Sequence, residues 1–122
     1  MTDMTATSES SMVRLTTPAK AEYVLLARLA LSAVCRLTSL RQDDAADLKL
    51  AITEAATMRG GGEGAGGRLE FSYRIEDSRL VVEISGGHAT GHNELGRALV
   101  EATVDESEFS ERSIRLTKTL DR

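Results

Sequence analysis

Residues 47–58 (DLKLAITEAATM) read as a helix that carries one carboxylate, Glu54, toward its end and runs straight into RGGGEGAGG at residues 59–67. A carboxylate fixed on a helix can accept a proton, and a glycine-rich run can wrap an anion with its backbone N–H groups. The glycine run fails as a phosphate cradle. It lacks the Gly-Lys-Ser/Thr ending of a phosphate-binding loop, and it follows a helix where such a loop would open one. A stretch of this composition makes a flexible connection. His88 and His92 stand four apart, a metal-ligand spacing on a helix, but Gly91 between them and Gly86-Gly87 ahead of them argue for a loop without a third ligand. No metal site is expected. Cys35, the single cysteine, permits no intrachain disulfide and no cysteine-based zinc site; lying in an apolar run, it reads as a small core residue.

A chain of 122 residues suits one domain around one core. Its net charge of −4 counts against a nucleic-acid or anionic-membrane partner. No apolar run reaches the roughly 18–20 residues of a membrane span. Residues 1–11, rich in Ser and Thr without a hydrophobic run, read as a disordered tail and not a signal peptide. That leaves residues 12–122 as the domain and points to a cytoplasmic protein.

Residues 12–17 (MVRLTT) alternate and give a first strand, after which Pro18 suits the first turn of a helix. From residue 19 to about residue 38 the chain is apolar on most sides, with Arg28, Ser32 and Arg36 as one narrow polar stripe. So bare a helix is expected to be largely buried, or to turn its stripe to water or a partner. Ser39-Leu-Arg-Gln42 has capping-box spacing and Asp43 is a rival N-cap, so a second helix opens within residues 40–44. Ala45, Leu48, Ile52 and Ala55 make its core face, whereas Asp47, Leu50, Glu54 and Met58 lie on another. It must fail at Gly60. Residues 68–75 and 79–84 alternate and form a hairpin; residues 85–92 are a loop. Leu95, Ala98, Leu99, Ala102 and Thr103 give a third helix, and residues 107–109 and 113–120 a closing pair of strands. The order β-α-α-β-β-α-β-β specifies an α+β two-layer sandwich: a largely antiparallel or mixed sheet covered on one face by three helices.

Three segments share their order and spacing with a known family: Glu54-Ala55 on its helix, residues 95–106 (LGRALVEATVDE), and Ile114-Arg-Leu-Thr-Lys118 followed by Leu120. Over roughly residues 12–120 the chain resembles the anti-sigma factor and serine-protein kinase family, small relatives of the histidine-kinase ATPase domains (the GHKL or Bergerat fold). Tyr23, Ala27 and Arg28 match it in register with Glu54. The resemblance implies that fold in a bacterial homodimer acting by partner switching, with a sigma factor and a STAS-type anti-anti-sigma protein as partners. Arg28, Ser32 and Arg36 would then be partner-binding residues; the bland reading of the same stripe is a solvated face.

The resemblance also implies an ATP site. Glu54 would be the catalytic residue, a general base that polarises the attacking hydroxyl beside a magnesium–phosphate group. The family's magnesium asparagine falls at Met58, its adenine-binding aspartate at Ser85, and its next glycine at Gly87, while Leu95 and Gly96 follow the lid. A thioether does not ligate a hard cation. Serine is shorter than aspartate and uncharged, and the stretch between Gly87 and Leu95 is too short for a full lid; Glu94 and Arg97 would flank it. The expectation is therefore a protein-binding regulator in which ATP with magnesium binds weakly or not at all. The alternative is an active ATP-dependent serine kinase that phosphorylates the anti-anti-sigma factor.

Overall fold

The alternating segments pair as expected. In the computed structural model, which describes residues 12–60, 67–87 and 94–120, five strands form one sheet. They are β1 (Val13–Pro18), β2 (Arg68–Glu76), β3 (Arg79–Gly86), β4 (Glu106–Phe109) and β5 (Ser113–Thr119). Their order is β1-β2-β3-β5-β4, with every neighbouring pair antiparallel. The helices α1 (Val24–Cys35), α2 (Gln42–Met58) and α3 (Glu94–Thr103) pack on one face. The register aligns Leu15, Phe71, Ile84, Ile114 and Phe109 in one inward row, and Val13, Tyr73, Val82 and Leu116 in the next. Period-two alternation sends every second residue of each strand to the core. The outward positions carry ion pairs instead: Arg14–Glu70, Arg74–Glu83, Arg79–Glu106 and Arg115–Glu108. They keep that face wetted and add little stability. Glu76 is part-exposed, and the hydrogen bond it accepts from Arg74 holds its carboxyl below the usual carboxylate range.

Several expectations change. Pro18 closes β1 instead of opening a helix, because an edge strand tolerates a missing N–H, and a short 3₁₀ turn (Ala21–Tyr23) leads into α1. The N-cap of α2 is Arg41, whose side chain makes no capping bond; Asp43 and Asp44 in the first turn answer the helix dipole. Of the two placements expected for α1 it takes the second: it is not largely buried, and Arg28 and Arg36 are exposed. Val24, Ala27, Leu31 and Val34 face the core, but Leu25 and Leu29 are each 57% exposed and Leu26 is 44% exposed. A two-layer sandwich offers a helix only one surface to bury, so its remaining sides stay outside. Met58 also moves. It lies one turn beyond Ala55 and joins the core. The segments 1–11 and 61–66, with His88 and His92, lie outside the described residues.

Two polar side chains fasten the layers. Lys118 points inward at 8% exposure, donates from Nζ to the Thr103 carbonyl at 3.0 Å, and faces Asp44 Oδ1 at 3.6 Å. It thereby joins the C-terminus of α3 to the N-terminus of α2, the charge each helix end prefers nearby. The buried Tyr73 hydroxyl donates to the Ala27 carbonyl of α1 at 2.8 Å, and burial pushes its pKa well up. Because the folded value lies above the unfolded one, this stabilisation is complete below about pH 10 and is lost as pH climbs toward the folded value. Tyr73→Phe is therefore expected to cost about 1 kcal/mol at neutral pH. Urea melts should also show the variant losing less stability than the parent above about pH 10. Among the described residues, no helix is long and apolar enough to cross a membrane.

Candidate functional site

The last turn of α2 reaches a corner formed by the end of β3 and the β4–β5 turn. Ala55, Ala56 and Met58 are buried there, and Arg59 is the C-cap. Gly60 ends the helix with a φ of +89°, a left-handed conformation that suits glycine. From the other side, Gly86 and Gly87 also carry positive φ and press against the chain. A Cβ on Gly87 would lie 1.9 Å from the Arg59 carbonyl oxygen, and one on Gly86 would lie 2.4 Å from that of Arg68. The glycine pair is thus required by contact as well as by dihedral angle.

Arg59 was not singled out by sequence reasoning, yet it organises this corner. Only 3% exposed, it donates from Nε and one terminal nitrogen to the Gly86 carbonyl at 3.0 and 2.9 Å, and from the other terminal nitrogen to the Glu111 carbonyl at 2.9 Å. Burial lowers its pKa from the usual arginine value. The available signal was its spacing: Arg59 follows Ala55 by four and Ile52 by seven, which places it on the buried face of α2.

An open concavity of about 420 Å³ at this corner is lined by Arg59, Ser85, Gly86, Gly87, Glu111 and Arg112. It gathers two of the expected nucleotide-site residues, Ser85 and Gly87. Glu54 and Met58 do not line it. Glu54 is half-buried one turn earlier on α2, and among the described residues nothing pairs with its carboxylate; Met58 fills core space instead of facing an opening. Leu95 and Gly96 begin α3 away from the concavity, Leu95 at 82% exposure and Gly96 buried. A second hollow, about 340 Å³, lies on the outer sheet face among the ion pairs of Arg74, Arg79 and Arg115 and shares no residue with this corner.

The expected partner residues sit elsewhere, on α1. Arg28 and Arg36 are exposed and Ser32 is half-buried. Leu25, Leu29, Ser32 and Arg36 follow one another at intervals of four, three and four, so they share one side of the helix, with Arg28 beside them. Leu37, just beyond, is 77% exposed. The stripe that reads as polar in sequence is a mixed surface of leucine and arginine.

A five-stranded antiparallel sheet under three helices, with the end of α2 meeting a serine–glycine–glycine strand end, is the arrangement of the histidine-kinase-like ATPase fold. The chain matches 91% of its length to a crystal structure holding the RsbU and RsbW domains of a Mycobacterium tuberculosis protein, at a TM-score of 0.73 and 20% identity, covering 32% of that chain. In sequence it is similar to the serine-protein kinase RsbW of Bacillus cereus, 50% identical over 40 residues, and to that of Halalkalibacterium halodurans, 28% identical over 74 residues. These matches cover 33% and 60% of the chain, but only 25% and 46% of the relatives. No family model matches. The chain is thus RsbW-like in fold and, over part of its length, similar in sequence to RsbW serine-protein kinases.

Proposed function

We propose that the chain is an anti-sigma-factor-like regulator that works by binding other proteins, a sigma factor or a STAS-type anti-anti-sigma antagonist, in a bacterial partner-switching system, with ATP binding weakened or lost. One observation carries this reading: the exposed leucine–arginine face of α1, the helix on which the resemblance puts partner contacts. Contiguous apolar surface rimmed by polar groups is what interaction sites present. The nucleotide corner supports it from the other side, with Met58 in the core at the magnesium-ligand position and Ser85 in place of a carboxylate.

Calorimetry with Mg-ATP, run on the unmodified chain and on Met58→Asn, tests the nucleotide half. The expected result is no binding, or a Kd of about 1 mM, for the unmodified chain. A Kd of about 1 µM that depends on magnesium would sink the proposal. The competing reading, an ATP-dependent serine kinase acting on the antagonist, draws on the retained Glu54 carboxylate, half-buried and unpaired among the described residues. That reading requires the micromolar result.

A further inference from the structure

One wall of the corner at the end of α2 is the chain's own arginine. A guanidinium is costly to remove from water, so a 97% buried one needs partners that replace its hydration. Arg59, at 3% exposure, has them in two backbone carbonyls: Gly86 at the end of β3 and Glu111 in the β4–β5 turn. Its planar fork forms a wall of the concavity that Ser85 and Gly87 also line. We propose that Arg59 is the specificity-determining residue of this pocket: its guanidinium lies across the place of a purine base and closes the site to nucleotides. This inference rests on reading the corner as a worn nucleotide site and names what holds it shut.

The physical case is a comparison of two states. To admit a flat heterocycle against the end of β3, the guanidinium must leave both carbonyls. Three hydrogen bonds from a charged donor are then lost, and the Gly86 and Glu111 carbonyls must find other donors. Among the described residues that line the pocket, nothing offsets that loss. Ser85 brings a hydroxyl where a carboxylate would accept from a base amino group, and the second cation, Arg112, gives a neutral ring no ionic partner. Restoring Ser85 to aspartate alone leaves Arg59 in place and adds a nearby anion that would hold it more firmly. The prediction is thus specific to the pair of positions. Neither the aspartate alone nor partner binding at α1 should open the site.

The test uses the full chain and a fluorescent adenosine analogue, which carries no phosphate, so that only base and sugar contacts are read. Fluorescence anisotropy compares the parent, Ser85→Asp, Arg59→Met and the double variant Arg59→Met/Ser85→Asp; methionine keeps the apolar stem and removes the guanidinium. Parent and Ser85→Asp are expected not to saturate at about 1 mM, and the double variant to bind at least about tenfold tighter than Ser85→Asp. A folded double variant that binds no better than Ser85→Asp overturns the proposal. So does a parent that binds and loses binding in Arg59→Met. Should the variants fail to fold, the parent still decides. Arginine modification by phenylglyoxal, read by mass spectrometry, should be slow at Arg59 relative to exposed Arg28 and unaffected by added ATP. An ATP-dependent change at Arg59 overturns the proposal as well. None of these readings depends on partner capture, so failure of the α1 surface and failure of the arginine closure remain distinguishable.

Discussion

Gly87→Ala will destabilise the domain by about 3 kcal/mol, close to half the stability of a marginal domain. Two effects add. The residue has a φ of +56°, a left-handed conformation that costs a β-carbon about 1 kcal/mol. The new methyl would also stand 1.9 Å from the Arg59 carbonyl oxygen, an atom of main chain that cannot rotate away, with the Leu69 side chain 3.1 Å off. Gly67 separates the two effects. It has a similar φ of +82° but nothing within 4 Å of the place its Cβ would take. Gly67→Ala should therefore cost only the conformational part, about 1 kcal/mol. Urea denaturation of both variants checks the difference. Equal losses at the two sites would mean that β3 and the end of α2 are not in the contact described.

The second large effect is on binding. Leu25→Asp with Leu29→Asp is expected to weaken capture of the proposed partner, a sigma factor or STAS-type protein, by about 100-fold, with an unchanged melting temperature. Both leucines are 57% exposed in the free chain, so their replacement removes little folded-state packing. In a complex they would be the central apolar contacts, and a carboxylate buried there without a partner is heavily penalised. Arg28→Glu, at the rim, should act differently: a slower on-rate and a weaker salt dependence, with a smaller loss of affinity. Surface plasmon resonance at two ionic strengths distinguishes the two. If the double leucine variant binds as tightly as the parent, α1 is not the docking face.

Much of the architecture was legible because it follows from periodicity. Residues 68–75 alternate strictly and 79–84 do so except at Val81, and the observed β2 and β3 differ from them only at their ends, extended to Glu76 and Gly86. The turn between them holds Asp77 at a φ of +54°, a conformation aspartate tolerates. What sequence could not fix was which side of an apolar helix meets the sheet. Residues 24–35 are apolar on every side but the narrow stripe of Arg28 and Ser32, so Leu25 and Leu29 carry the same signal as Leu31 and Val34; only packing decides among them. Met58 failed for a related reason. It was grouped with Glu54 by spacing of four, although spacing of three from Ala55 puts it equally near the core face. Arg59 was missed because an arginine before a glycine run reads as surface. Its spacing from Ala55 and Ile52 points inward, but the carbonyls that make its burial tolerable come from the end of β3 and the β4–β5 turn, far along the chain.

The bonds that Arg59 makes close loops of 27 and 52 residues. The β2–β3 hairpin can form locally, whereas this corner can close only after α2, β3 and the β4–β5 turn have been brought together. Contacts of such long sequence separation come late, after loop-closure entropy has been spent. The corner should accordingly be unformed at the folding barrier, and disrupting it should hasten unfolding while leaving the folding rate nearly unchanged. In the cell, the arginine would then set how long the folded chain survives more than how quickly it arises.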